Sequence, residues 1–352
     1  MNKLLVDIFA CPYDKGKLEV IILNTGSHSI KQGLFYCSKC NDVFPIIDGI
    51  PRFLIAGDID ALDQKEWDNF IHSKHMNRLP KRYLQLFTRK IEDVKERTTK
   101  HAWTIEEKSY WESIYNTTKD EKTKYTDGLG RVVGNRRYIR ELLIFSKLRQ
   151  SIEGKILLEV GCGGSRNIKQ LLDPATYNFY YIGLDLSIKA LKRALDNIDG
   201  IFVQANLEYL PFKDNSVDYL LSLGALHHTP AKEENLRKLY CVLKSGGELA
   251  YHEVINSTGM APCFLKDQKL PHHEHINLQK ALRIDRKHSH IIAYKKEYSP
   301  IRAVMVKLLE PLMNMYFYVT RFIILIDDMA IGLSKYLEFL HARSALVLTR
   351  KK

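Results

Sequence analysis

The chain has 352 residues, 45% hydrophobic and 27% charged, enough apolar material for a core in one large domain or two. Its net charge of +12 admits an acidic partner (RNA, an anionic membrane surface or a phosphorylated substrate), although the basic residues are spread along the chain and not blocked. Six cysteines behind an opening without a secretory pattern predict a cytoplasmic, reducing setting, and no run reaches the length of a membrane-spanning helix; 315–326 is too short and contains Arg321.

Residues 1–55 read as a small module of their own. Cys11-Pro12 precedes a strand-like Leu18–Leu23, a polar loop over 24–33, and then Phe35-Tyr36-Cys37-Ser38-Lys39-Cys40. The C-x-x-C of Cys37 and Cys40 can place two thiolates on one metal. The partner that Cys11 needs three residues on is Asp14, which ligates through oxygen. The candidate metal set is therefore Cys11, Asp14, Cys37 and Cys40, with zinc the expected ion and a metal-free ribbon the alternative. Together with Phe44-Pro45-Ile46-Ile47-Asp48-Gly49-Ile50-Pro51, this segment resembles the zinc-ribbon family of tRNA-methyltransferase activator proteins. That resemblance implies a structural module that covers apolar surface of a catalytic domain, here within one chain.

Residues 56–134 are dense in charge, with Trp67, Phe70, Tyr83, Phe87, Trp103, Tyr110, Trp111 and Tyr115 at intervals. Helices are predicted over 61–70 and 81–97, broken at Pro80, with Leu84, Phe87, Ile91 and Val94 on one apolar face. Basic residues interleaved with aromatics can stack nucleobases, but a helical connector that turns its aromatics inward is the favoured reading. The polar, glycine-containing stretch 116–134 is the expected lid or linker.

From residue 135 the pattern is α/β. After a helix over 138–149, strands are predicted at 156–160, 180–184, 201–204, 217–223 and 248–254, and helices near 167–172, 188–197 and 233–243. Such alternation makes a parallel sheet covered on both faces, with the ligand at the carboxyl ends of the strands. The first strand runs as ILLEVGCGGS: an acid, Glu159, then a turn with Gly161, Gly163 and Gly164 that lets backbone approach a nucleotide-like ligand. Arg166 stands where the dinucleotide fingerprint wants its third glycine, which argues against NAD. Asp185, at the end of the second strand, has the spacing of a carboxylate that meets ribose hydroxyls.

Those residues are followed by Gln204-Ala205-Asn206-Leu207-Glu208-Tyr209-Leu210-Pro211-Phe212, Asn215-Ser216-Val217-Asp218-Tyr219, Ala225-Leu226-His227-His228 and Leu243-Lys244-Ser245-Gly246-Gly247. In this order and spacing they resemble the class I S-adenosylmethionine-dependent methyltransferases, nearest the small-molecule group of ubiquinone and menaquinone type, over roughly residues 135–255. The resemblance implies a Rossmann-like seven-stranded sheet with S-adenosylmethionine as cofactor. It assigns the methionyl end to Glu159, Gly161 and Gly163 and the ribose to Asp185. Asn206 and the Leu207 N–H would take the adenine, an amide oxygen being able to accept from its amino group.

His227 and His228 follow the fourth strand, where an acceptor would meet the sulfonium methyl. A base is needed only if the acceptor has a proton to lose, and histidine suits that task. His252 and Glu253 are secondary candidates. A base-amine methyltransferase would be expected to show a Pro-Pro-Tyr-like run where this chain has Gly224-Ala225-Leu226-His227.

Beyond Val254 the pattern loosens. The cluster His272-His273-Glu274-His275 suits acceptor binding better than a metal, and 290–298 and 345–348 are the expected sixth and seventh strands. The apolar insertion at about 300–340 is open between a lipid-facing surface, an acceptor pocket, a dimer contact and plain burial. The leading expectation is methyl transfer to a small-molecule or lipid-linked acceptor by an enzyme that is cytoplasmic or peripherally bound to membrane. The alternatives are an RNA (tRNA or rRNA) methyltransferase and a non-catalytic, cofactor-binding partner or scaffold. The boundaries expected are 1–55, 56–134 and 135–352.

Overall fold

The computed structural model describes residues 3–26, 29–96, 101–117, 148–165, 168–169, 172–255, 276–297, 325–326, 329 and 344–352. Its first unit is a four-stranded antiparallel sheet of β1 (Leu18–Thr25), β2 (Ile30–Cys37), β3 (Asp42–Ile47) and β4 (Ile50–Pro51) in sequential order. The expected loop over 24–33 is shorter than its polarity suggests, because Ile30–Gly33 pairs with Ile22–Thr25. Gly33 permits that approach: a Cβ there would lie 2.6 Å from the Ile21 carbonyl oxygen. Asp48 and Gly49, both at positive φ, make the two-residue turn from β3 to β4.

The second unit is a seven-stranded sheet of β5 (Ile156–Val160), β6 (Tyr180–Asp185), β7 (Ile201–Gln204), β8 (Val217–Leu223), β9 (Leu243–Val254), β10 (Ser289–Glu297) and β11 (Ser344–Lys351). Its order is β10-β11-β9-β8-β5-β6-β7. This is the expected Rossmann-like methyltransferase sheet. The strands β5 to β10 run in one direction, as the strand–helix alternation predicts, and β11 alone opposes its neighbours. Two boundaries move: β9 begins at Leu243, five residues before the expected start, with an irregular pairing with β8 and Gly246 at φ +75°, and β11 runs on to Lys351, three residues past the expected end.

Helices α1 (Ala61–Ile71), α2 (Lys81–Glu96), α3 (Ala102–Thr117), α4 (Pro174–Tyr177), α5 (Ile188–Asn197), α6 (Lys232–Val242) and α7 (Leu278–His288) complete the described elements. Asp60, Ser187 and Asn277 cap α1, α5 and α7 by accepting from first-turn N–H groups. Neither α3 nor α7 was expected as a helix, and α3 takes the first two residues assigned to the lid. The rest of the lid, the helix over 138–149 but for its last two residues, half of 167–172, the cluster at 272–275 and nearly all of the insertion lie outside the described residues. Among the described residues, no helix is long and apolar enough to cross a membrane.

The two sheets meet edge to edge. β7 is a short edge strand, and β4 lies beside it, with an Arg52–Gln204 bridge and the Phe53 N–H donating to the Gln204 carbonyl at 2.8 Å. Phe9 bridges Phe212 across a second seam, where Ala10 N–H donates to Pro211 and Lys213 N–H to Ile8. Phe9, Phe35, Phe44, Phe53 and Phe212 then form one aromatic cluster with neighbouring ring centroids 5.2–5.5 Å apart. The ribbon covers an open edge and shares one core with the larger sheet.

Candidate active site

The loop after β5 is shaped by its neighbours as much as by its glycines. Gly161, Gly163 and Ser165 have φ of +68°, +52° and +56°, and the Cys162 N–H donates to Leu184 at 3.0 Å, tying the turn to β6. A Cβ on Gly161 would come within 2.5 Å of the Ala225 methyl, and one on Gly163 within 2.5 Å of the Tyr115 hydroxyl. Ser165 holds its left-handed conformation with its hydroxyl 2.9 Å from Tyr181 Oη, which donates to Glu159 Oε2 at 2.6 Å. Burial, then the charge of Glu159, pushes the Tyr181 hydroxyl well up, so it stays a donor.

Asp185 lies on the strand adjacent to Glu159, since Glu159 pairs with Gly183. Its Oδ2 accepts from the Gly163 N–H at 2.8 Å and its Oδ1 from the Ser187 N–H at 2.9 Å. Burial raises its pKa, against the lowering by those backbone donors. The structure thus brings Glu159, Gly161, Gly163 and Asp185 together at the carboxyl ends of β5 and β6.

Asn206 and Leu207 sit at the end of β7, at the ribbon junction. The Asn206 Oδ1 accepts from the Glu208 N–H at 2.9 Å and caps the single turn Leu207–Tyr209. Its Nδ2 donates to the buried carboxylate of Asp58 at 3.0 Å, which also contacts His101 Nδ1 at 2.9 Å. Next to it, Gln204 Oε1 accepts from Arg52 and Gln204 Nε2 donates to Asp63.

The two histidines are separated by their partners. His227 Nδ1 lies 2.7 Å from Glu253 Oε2, and Glu253 also accepts from Ser222 Oγ and the Ala225 and Leu226 N–H groups. One buried carboxylate therefore fastens the end of β9 to the turn after β8. Burial would raise Glu253, but these hydrogen bonds hold it below the usual carboxylate range; burial lowers His227. His252, one residue earlier on β9, accepts from the Gly224 N–H through its carbonyl.

His228 faces α3 instead. Its Nδ1 lies 2.7 Å from Glu107 Oε1, the Trp111 ring stands edge-on at 5.6 Å, and Trp103 Nε1 donates to the His228 carbonyl at 3.0 Å. Tyr115 continues the same helix face, its hydroxyl accepting from the Gly164 N–H at 3.1 Å. Trp103, Glu107, Trp111 and Tyr115 recur every fourth residue, a spacing that was available in the sequence as a helical face. Glu107 was the residue missed, hidden by its charge.

In the ribbon, the ligand atoms of Cys11, Asp14, Cys37 and Cys40 all lie within 4.8 Å of one another. Cys11 Sγ is 3.6 Å from Cys40 Sγ and Cys37 Sγ 3.6 Å from Asp14 Oδ1. Three sulfurs and one carboxylate oxygen at such separations suit a tetrahedral zinc ion.

Residues 158–251 match the family model described as a methyltransferase domain, and residues 2–49 the one described as Trm112p-like protein. The chain joins a Trm112p-like domain to a methyltransferase domain. A fatty-acid O-methyltransferase of Mycolicibacterium smegmatis is 35% identical over 121 residues, 33% of this chain and 43% of that protein. The sterol 24-C-methyltransferase of Schizosaccharomyces pombe is 30% identical over 131 residues, 35% of this chain and 32% of that protein. The chain thus spans less than half the length of these curated relatives. Among solved structures, phosphoethanolamine N-methyltransferase 2 of Haemonchus contortus with S-adenosyl-L-methionine aligns at 17% identity and a TM-score of 0.44, covering 65% of this chain and 58% of that one. The methyltransferase domain match covers β5 to β9 short of their outermost residues, including Glu159 and Asp185 on β5 and β6 and His228 in the turn after β8.

Proposed function

We propose that the chain is an S-adenosylmethionine-dependent methyltransferase acting on a small-molecule or lipid-linked acceptor. The observation that carries the reading is the placement of Glu159 and Asp185 near the carboxyl ends of two adjacent strands, beside the left-handed Gly161–Ser165 turn. The cradle suits the cofactor: no Cβ fits at Gly161 or Gly163, and Asp185 is already oriented by two N–H donors. Glu159, Gly161 and Gly163 would hold the methionyl end and Asp185 the ribose. Leu207 would meet the adenine through its backbone, while Asn206 fixes that turn against Asp58. When bound, the cofactor supplies an electrophilic methyl, and approximation and desolvation do most of the remaining work. The ribbon tetrad Cys11, Asp14, Cys37 and Cys40 would hold zinc as a structural brace, and a peripheral, cytoplasmic-face location suits a lipid-linked acceptor.

Calorimetry with S-adenosylmethionine tests this reading. Wild type should bind, and Asp185→Ala should weaken binding about tenfold or more, roughly 1.4 kcal/mol. A folded chain that binds no cofactor would sink the enzyme reading, and cofactor binding without methyl transfer to any acceptor would favour the scaffold alternative. RNA methylation keeps one specific support, a groove of about 390 Å³ between α6 and α7 lined by Arg237, Lys280, Arg283 and Lys287 together with Glu233 and Ile284. Steeply salt-dependent tRNA binding, weakened by Lys280→Glu with Arg283→Glu, would promote it.

A further inference from the structure

We propose that Glu107 and His228 form a proton-accepting pair and that the acceptor is a neutral hydroxyl rather than a carboxylate. This rests on the methyltransferase reading and deepens it. Three side chains of α3 at four-residue spacing, Trp103, Glu107 and Trp111, converge on His228. Glu107 is only 5% exposed, its Oε1 accepts from Trp111 Nε1 at 2.8 Å, and its Oε2 is buried without a hydrogen-bond donor among the described residues. A buried carboxylate oxygen left in that state is costly, so a ligand that brings a donor is favoured there. His227, by contrast, is committed to Glu253 and the turn it fastens. His228 lies three residues beyond Ala225, the residue against which Gly161 is packed.

A hydroxyl needs such a pair. Its oxygen, hydrogen-bonded through its one proton to Glu107 Oε2, forms the new C–O bond with the cofactor's methyl, the C–S electron pair stays on sulfur, and that proton passes to the Glu107 carboxylate. His228, whose Nδ1 lies 2.7 Å from Glu107 Oε1, is the positioning residue that sets the carboxylate's charge at this site. A carboxylate has no proton to lose and would bring a second negative charge toward Glu107. A neutral amine attacks with its own lone pair and needs no base at that moment.

The test uses the full chain with three probes: dodecanol, dodecanoate and pentafluorophenol, the last already ionised at neutral pH. By calorimetry with S-adenosylhomocysteine present, dodecanol should bind better than dodecanoate, and Glu107→Gln should weaken dodecanol about tenfold while leaving cofactor affinity unchanged. With methyl-labelled cofactor, Glu107→Gln and His228→Gln should each slow dodecanol methylation about 100-fold, within the range of general-base contributions. Methylation of pentafluorophenol should fall by less than about threefold in both, because that acceptor needs no base.

Equal losses on both acceptors would reduce Glu107 to a packing residue and overturn the proposal. A preference for dodecanoate would overturn it too, in favour of Lys232, whose ammonium lies over the Trp103 ring at 5.6 Å. Cofactor binding without binding or methylation of any probe would remove the hydroxyl assignment and leave the methyltransferase reading intact. Absence of cofactor binding would remove both.

Discussion

The seam between the ribbon and the catalytic sheet makes an asymmetric prediction about one buried ion pair. Arg52 is 1% exposed; one guanidinium nitrogen donates to Gln204 Oε1 at 2.9 Å and another to Glu66 Oε2 at 2.8 Å. Burial lowers the Arg52 pKa, against the opposing charges of Glu66 first and Asp63 next. Glu66 is partly exposed and has a second cation, Lys192, at 2.6 Å. Removing Arg52 therefore leaves Glu66 paired and orphans mainly Gln204 Oε1, at a cost of roughly 1–3 kcal/mol. Removing Glu66 leaves a buried guanidinium without its nearest carboxylate, which costs about 3–5 kcal/mol; the charge of Asp63 places it at the low end. Glu66→Ala should thus destabilise by about 3 kcal/mol and Arg52→Met by about 2 kcal/mol or less. Urea unfolding followed by circular dichroism and tryptophan fluorescence measures both, and the midpoint should fall with the slope unchanged. Because Phe9, Phe35, Phe53 and Phe212 make one core across the seam, the two probes should report a single transition. A larger loss in Arg52→Met than in Glu66→Ala, or a ribbon that melts first, would refute the reasoning.

Other consequences are local. Gly161→Ala puts a side chain at φ +68° and within 2.5 Å of Ala225, so cofactor affinity should drop about tenfold from backbone strain of roughly 1–2 kcal/mol; an unchanged calorimetric affinity with a normal spectrum would take this loop out of the site. Burial lowers His227 from its ordinary 6.5, so the folded state binds its proton less readily than the unfolded chain. Its contribution is whole above about pH 6.5 and lost on acidification toward the lower folded value, so wild type should lose more stability than His227→Gln between pH 7 and 5. Parallel pH curves for the two proteins would contradict the assignment. Asp14→Cys completes a four-sulfur site and should tighten zinc in a chelator competition, whereas no change would show that Asp14 is not a ligand.

How far this molecule can be read from its residues depends on what each residue is buried against. Strands β5, β6, β7 and β8 are covered on both faces and read as short apolar runs, so their expected ends fall within a residue of the observed ones. Glu159 and Asp185 were legible for the same reason: an acid that ends an apolar run at the start of a turn has few structural uses. The start of β2 was not legible, because Ile30–Gly33 is polar and becomes a strand only by pairing with β1. The docking of β4 on β7 is likewise a contact between residues about 150 apart in sequence, invisible to any local window.

Helix α3 failed the reading for the opposite reason. Amphipathic analysis assumes that the inward face is apolar, yet Thr104, Glu107, Lys108 and Glu112 are all buried. Lys108 is held by Asp60 at 3.0 Å and by Asp63, and those acids sit at the start of α1 in the segment that follows the ribbon. The charges that erase the helical pattern of α3 are therefore the ones that fix it over the carboxyl ends of the sheet. Local rules break where a chain buries charge for a purpose, and here the break coincides with a helix that touches both the Gly163–Gly164 turn, through Tyr115, and His228, through Glu107 and Trp111. That coincidence gives Glu107 a stronger claim to a functional role than its composition alone would allow.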